Sequence, residues 1–179
     1  MQKRWLILSD SHGDEKRVFD ILTHWGESIT DLLFLGDGAK EIVEAAYIFP
    51  EINFRAVIGN NDFSIKPNGR VTFPLENLIE VGQQKIYMTH GHIASYKEVH
   101  NKVSERAKLK RAEIAFYGHL HIPFSGVING VHILNPGSVS YPRGGSQASY
   151  LVADFKESEG LTADSFRFFD AKKHTNLAI

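Results

Sequence analysis

Five short apolar runs in this chain each end on a residue able to hold a metal ion or move a proton. Trp5–Leu8 leads into Ser9-Asp10-Ser11-His12, Leu32–Leu35 into Gly36-Asp37, and Ala56–Ile58 into Gly59-Asn60-Asn61-Asp62. Ile86–Thr89 leads into His90-Gly91-His92, and Ile114–Tyr117 into Gly118-His119-Leu120-His121. The donors on offer are carboxylate oxygen, amide oxygen and imidazole nitrogen; the chain has no cysteine and therefore no thiolate. Such a set suits Mn, Fe, Co, Ni or Zn rather than copper(I) or an iron–sulfur cluster. Asp10, His12, Asp37, Asn60, His90, His119 and His121 are seven donors. That is too many for one tetrahedral ion, and enough for two ions if one carboxylate is shared. A lone Gly-Asp or Gly-His-x-His is a weak signal; five such endings in one chain are a strong one. If extended backbone persists past each strand, Asp10 and His12 point to one side, as do His119 and His121.

The runs must be positioned by something rigid, and the intervening segments supply it. Lys16–Trp25 places Val18, Phe19, Ile21, Leu22 and Trp25 at a helical period, and Glu41–Phe49 is helical again, closed by Pro50. Strand, helix, strand, helix, strand is the order of parallel α/β layering. The second half changes character. Asn77–Val81 and Lys85–Thr89 flank a Gly82-Gln83 turn, and Phe124–Ile128 and Val131–Leu134 flank Asn129-Gly130, a strong hairpin signal. Tyr96–Leu109 reads as a basic helix, and Tyr150–Phe155 and Thr162–Phe169 as further strands. The expectation is an α/β fold: a four-layer αββα sandwich of two mixed β-sheets flanked by helices, in one domain over residues 1–179. In open α/β sheets ligands bind outside the carboxyl ends of the strands, where all five endings lie.

Taken together, Asp10-x-His12, Gly36-Asp37, Gly59-Asn60-x-Asp62, His90-Gly91-His92 and Gly118-His119-x-His121 resemble the motif series of the calcineurin-like metallophosphoesterases. The length and the Asn135-Pro136-Gly137-Ser138 segment are similar to the small YfcE-like phosphodiesterase branch. The resemblance implies a first metal on Asp10, His12, Asp37 and His121. It implies a second on Asp37, Asn60, His90 and His119, with Asp37 bridging. The implied reaction is attack on a phosphate ester, most readily a diester, by a hydroxide shared between two divalent ions, with Mn the first expectation. One residue departs from the pattern. Many members carry a His after the Gly-Asn pair to protonate the leaving group, and here Asn61 stands there. An amide donates a hydrogen bond but does not titrate. Asn61 is then expected to hold a phosphoryl oxygen, His92 to support the metal ligands or serve as a substitute acid, and Asp62 to orient the loop or a ligand imidazole. Arg143, between Pro142 and Gly144-Gly145, is expected to grip a phosphate. His24, His100, His132 and His174 are given no role.

Composition narrows the alternatives. Twenty Lys+Arg against 21 Asp+Glu, a net charge of −1, gives no global basic field for nucleic acid, which disfavours a nuclease of the Mre11 type. The apolar run after Lys3-Arg4 meets Asp10 too soon for a secretory signal, and no run approaches the roughly 20 residues of a membrane span. A cytoplasmic protein with a small phosphate-ester substrate is expected, with no membrane partner; a homo-oligomer, dimer or tetramer, is compatible. The competing expectation is a non-catalytic interaction scaffold that retains metal binding, of the kind represented in the superfamily by Vps29.

Overall fold

The structure is a computed structural model and describes residues 1–62 and 73–179. Two mixed sheets form its centre. The first has strand order β11-β10-β9-β1-β2-β3, where β1 is Gln2–Leu8, β2 Asp31–Phe34, β3 Asn53–Ala56, β9 Ser149–Lys156, β10 Phe166–Asp170 and β11 Asn176–Leu177. The second has order β4-β5-β6-β8-β7, where β4 is Glu76–Val81, β5 Gln84–Thr89, β6 Ile114–Tyr117, β7 Pro123–Ile128 and β8 Val131–Pro136. Among the described residues, three α-helices cover them: α1 Glu15–Trp25, α2 Ala39–Ile48 and α3 Val99–Leu109. β1, β2 and β3 run parallel, as do β5, β6 and β8, while β4–β5 and β7–β8 are antiparallel hairpins. At the β7–β8 turn, Asn129 and Gly130 have φ of 52° and 79°, the double left-handed step of a tight hairpin.

The four layers follow from which way alternate side chains face. Leu6 and Leu8 of β1 join Leu32 and Phe34 of β2 against Val18, Ile21 and Leu22 of α1. Trp5 and Ile7, one residue out of phase, join Leu33, Ile86, Met88, Ile114 and Phe116 between the two sheets. Tyr87, Ala115 and Ile133 face outward from the second sheet onto Val99, Val103 and Ala107 of α3. Central strands are buried on both faces and so read as unbroken apolar runs. That is why the strand ends stood out in the sequence.

Several boundaries differ from the sequence reading. α3 begins at Val99 rather than Tyr96, because Ser95 accepts from the Glu98 amide at 2.9 Å and donates from its hydroxyl to the Glu98 carboxylate at 2.7 Å. This local turn competes with the helix. Thr162–Phe169 is not one strand: Ala163–Ser165 is a 3-10 turn with Thr162 and Ser165 capping one another, and β10 starts at Phe166. The C-terminal Asn176–Leu177 pairs with β10 as β11, and nearby His174 stacks on His24 and meets the Tyr150 hydroxyl at 3.2 Å. Among the described residues, no helix is long and apolar enough to cross a membrane.

Candidate metal centre

The parallel strands of both sheets point their carboxyl ends the same way, and the loops that follow are stitched to one another. The Asp10 amide donates to Gly36 O at 3.0 Å and the His12 amide to Asp37 O at 2.9 Å, tying the loops after β1 and β2. Across the inter-sheet boundary the His119 amide donates to Asp10 Oδ2 at 3.0 Å. The loops approach so closely that several positions have no room for a side chain. A Cβ on Gly59 would run into the Asp37 carboxylate, and one on Gly118 into the Ser9 hydroxyl.

Donor atoms converge where these loops meet. Asp10 is fully buried, and its Oδ1 lies 3.0 Å from His121 Nε2, 3.8 Å from His12 Nε2 and 3.9 Å from His90 Nε2. Asp37 Oδ2 lies 3.8 Å from His12 Nε2 and 3.5 Å from His90 Nε2. Two groups of donors result, Asp10–His12–His121 and Asp10–Asp37–His90. Asn60 Oδ1 sits 3.2 Å from His90 Nε2, and the His119 ring 5.1 Å from the His90 ring. The seven residues singled out in the sequence therefore lie in one place. The expected alternation does not hold, however. Asp10, His12, Asp37, His119 and His121 all have left-handed backbone, with φ of 57°, 46°, 59°, 68° and 59°. As a result His121 turns toward His12 while His119 turns toward His90.

These donors suit a cation. His90 Nδ1 donates to Leu35 O and His121 Nδ1 to Tyr141 O, both at 2.6 Å. Those bonds assign the proton to Nδ1 and turn the Nε2 positions toward the carboxylates. Asp10 Oδ1 is buried without a hydrogen-bond donor, and His12 Nε2 and His121 Nε2 face each other at 3.2 Å. Lone pairs gathered this closely need positive charge between them, either protons on the rings or metal ions. The titration behaviour agrees. Burial pushes the His90 imidazole down, but the Asp37 hydrogen bond and the Asp10 and Asp37 charges outweigh it and raise it above its ordinary value. Burial pushes the Asp37 carboxyl up, and His90 with the Asn61 donors outweighs that, holding it well below the usual carboxylate range. Burial and the His90 charge push His119 down to about 4, which leaves its ring neutral at pH 7. His92 is lowered for the same two reasons.

The remaining sequence candidates fall into place around this cluster. Asn61 is exposed but engaged: its backbone amide donates to Asp37 Oδ1 at 2.7 Å and its side-chain amide to Asp37 Oδ2 at 2.6 Å. Asp62 holds backbone rather than an imidazole. Its two oxygens accept from the amides of Asp37, Gly38, Ala39 and Gly59 at 2.7–2.8 Å. Arg143 is exposed at the rim, with its amide donating to His121 O at 3.1 Å. Several supporting residues carry no sequence motif. The Ser9 hydroxyl donates to Asp10 Oδ2 at 2.5 Å, and the Ser138 hydroxyl donates to Asp10 O at 2.7 Å while accepting the Tyr141 amide at 2.8 Å. Glu41, buried at the start of α2, accepts from the Gly13 amide and the Ser11 hydroxyl. A buried Glu three residues into a helix, amid Ala39, Ile42 and Ala45, was the one signal available for it.

A layered α/β sandwich whose strand ends gather carboxylates and imidazoles in this way has the build of a metallophosphoesterase. Residues 4–158 match the calcineurin-like phosphoesterase superfamily domain, and the chain belongs to that family. The family acts on phosphate esters and implies divalent metal cofactors. The chain is similar to the probable metallophosphoesterase YsnB of Bacillus subtilis, with 32% identity over 92% of this chain and 89% of that protein. It is similar to the phosphodiesterase YfcE of Escherichia coli K12, with 27% identity over 83% and 86% of the two chains. A crystal structure of a predicted phosphoesterase from Streptococcus pneumoniae superposes with a TM-score of 0.76 at 27% identity, covering 99% of this chain and 94% of that one. Vacuolar protein sorting 29 from Cryptosporidium parvum shares the fold, with a TM-score of 0.72 at 16% identity over 98% and 95% of the chains.

Proposed function

We propose that the chain is a dinuclear metal-dependent phosphodiesterase. One observation carries this reading: a fully buried carboxylate oxygen, Asp10 Oδ1, has three imidazole Nε2 atoms within 3.0–3.9 Å. Asp10, His12, Asp37 and His121 would hold one ion, and Asp37, Asn60, His90 and His119 the other. Asp37 is the shared carboxylate in this scheme, since its Oδ2 lies between His12 and His90. Divalent ions bound there supply Lewis acidity toward the phosphoryl oxygens and a deprotonated water at neutral pH.

The chain's own residues do the rest. Asn61 and His90 keep the Asp37 carboxylate ionised and oriented. Leu35 O and Tyr141 O fix the two buried imidazoles in the tautomer that presents Nε2. Asp62 keeps the loops after β2 and β3 in register. No side chain at position 61 delivers a proton, so esters with good leaving groups are the natural substrates. The diester preference draws support from the likeness to YfcE. An all-oxygen-and-nitrogen donor set favours Mn, with Ni, Co, Fe and Zn as substitutes. The chain's lack of cysteine fits the cytoplasm.

Elemental analysis together with a hydrolysis screen tests the reading. Bis(p-nitrophenyl) phosphate and p-nitrophenyl phosphate would be assayed with Mn, Ni, Co, Zn and Mg. Two ions per chain and faster diester turnover are expected. Protein that holds no metal even after exposure to Mn would overturn the reading. Metal binding without turnover of any ester would favour the scaffold alternative, which rests on Asn61 and the shared fold alone.

A further inference from the structure

The donor cluster is walled differently on its two sides. One side opens into a cleft of about 350 Å³ whose wall includes Lys40, Glu41 and Asn61, a polar surface bearing both signs of charge. The other opens into a cleft of about 550 Å³ that runs past His12 and His121 to Tyr141, Pro142 and Arg143. Tyr141 lines this second side, and Tyr96 adjoins it through a hydrogen bond to Arg143. Tyr96 lies over His119, with centroids 5.0 Å apart and planes inclined by 25°. Tyr141 meets His12 edge-on at 5.6 Å and 82°. They are 57% and 58% exposed and belong to none of the three hydrophobic clusters. Their faces are therefore available to something other than the core.

Arg143 completes this wall. It donates from Nη1 to the Tyr96 hydroxyl at 2.8 Å, joining the loop after β5 to the loop after β8. Arg4, Arg17, Arg55, Arg106 and Arg167 each pair with a carboxylate. Among the described residues, the Arg143 guanidinium is bonded instead to a neutral phenol, so its charge stays available to an anion or a π-system.

Resting on the phosphodiesterase reading, we infer that Tyr96, Tyr141 and Arg143 form a subsite for a planar aromatic substituent of the substrate, aryl or nucleobase. The phosphate sits on the imidazole side and the aromatic group packs along the two tyrosines. Esters carrying such a group bind better than dialkyl esters. Stacking of this kind gives about 3- to 10-fold in affinity.

Calorimetry on the Mn-loaded protein with two uncleavable ligands, phenylphosphonate and methylphosphonate, measures the subsite directly. Wild type binds phenylphosphonate about 3- to 10-fold more tightly. Tyr96→Phe keeps most of that ratio because the ring remains. Tyr96→Ala lowers it, and the Tyr96→Ala/Tyr141→Ala double variant brings it to about one. Both side chains are more than half exposed, so folding is retained, and circular dichroism checks this. Arg143→Gln weakens both ligands and also removes the bond to the Tyr96 hydroxyl, the same bond that Tyr96→Phe removes with the ring kept. Equal affinities in wild type, or a ratio that survives in the double variant, would overturn the subsite. If both ligands bind equally and esters are still hydrolysed, only the subsite falls. If neither binds, the phosphoesterase reading falls with it.

Discussion

Removing the Asp62 carboxylate should loosen the site and the fold together. Four backbone amides converge on it: Asp37 and Gly59 at 2.7 and 2.8 Å on Oδ2, and Gly38 and Ala39 at 2.8 Å on Oδ1. Gly38 and Ala39 open α2, whose N-cap has no side-chain hydrogen bond of its own. Asp62 is therefore the cap of that helix, supplied from another loop, and its charge also meets the positive end of the helix dipole. Hydrogen bonds to a charged group are worth about 1.5–3 kcal/mol each, which summed naively reaches roughly 6–12 kcal/mol. Two corrections reduce this. The bonds act as one unit and are not additive, and Asp62 is only half-buried, so water can replace part of what is lost. About 3–5 kcal/mol remains for Asp62→Ala. At roughly 2–4 °C per kcal/mol for a chain of this size, the melting temperature should fall by about 6–20 °C. Asp62→Asn keeps one acceptor but turns its NH2 toward two donors, and should fare little better. Asp37 and Asn60 lie on the loops that Asp62 pins, so metal affinity should drop about 10- to 100-fold. Thermal denaturation in chelator isolates the folding effect, and Mn titration of the folded variant gives the affinity. A shift under about 2 °C with unchanged Mn binding would refute the reasoning.

Four further outcomes follow from the structure. Asp37→Ala should lose both ions, because it takes oxygens from both ends of the donor cluster; elemental analysis that still finds one tightly held ion would remove Asp37 as the bridge. Metal uptake at the His90 end should weaken as pH falls, since a proton on His90, whose affinity for it is raised, competes for the same nitrogen; a Mn affinity there that is flat from pH 8 to about pH 5.5 would contradict this. Asn61→His should raise kcat/KM for alkyl leaving groups more than for aryl ones, by up to about 10²-fold. Its measure is a matched pair of methyl and nitrophenyl esters, and an equal change in both would sink the leaving-group argument. Alkaline stability should fail late: burial pushes Tyr150 up to about 12 and raises Tyr87 and Tyr117 as well. A raised folded-state pKa leaves stability intact below the ordinary value of 10.0 and removes it as pH climbs through about 12. Phenolate absorbance recorded alongside circular dichroism would show these three rings ionising only with unfolding.

The donors were legible because parallel strands buried on both faces write themselves as apolar runs, and each run ended on Asp, Asn or His. The layering was legible for the same reason: Trp5-Leu6-Ile7-Leu8 has no polar face to give to water. What surrounds the donors was not. Asn61 was expected to hold a phosphoryl oxygen, yet its amide is bound to Asp37, a contact 24 residues away in sequence. Glu41 and Ser138 act through distant backbone while Ser9 donates to the side chain beside it, and nothing local marks either serine as a donor to Asp10 rather than a turn residue. Tyr96 was assigned to a helix because the period of α3 extends smoothly back through it. The Ser95–Glu98 turn breaks that extension, and the same turn carries Tyr96 to the rim. Asp10 and His12 do share one donor group, but His119 and His121, expected on one side, turn to opposite ends. Period-two alternation is a rule for extended chain, and these loops leave extended chain at once.

That departure bears on how the protein can change over generations. Five donors sit in left-handed backbone, where an L-residue costs about 1–2 kcal/mol and glycine costs almost nothing. Replacing one of them by glycine destroys a donor and relaxes the chain at the same stroke. Asp10 and Asp37 also accept hydrogen bonds from Ser9, His119 and Asn61 that glycine would lose. At His12 and His119 drift therefore runs downhill in folding free energy, and only selection for turnover opposes it. A lineage released from that selection would shed His12 and His119 while keeping its two sheets intact. It would end as a sturdy shell with exposed strand-end loops, suited to being gripped by another protein.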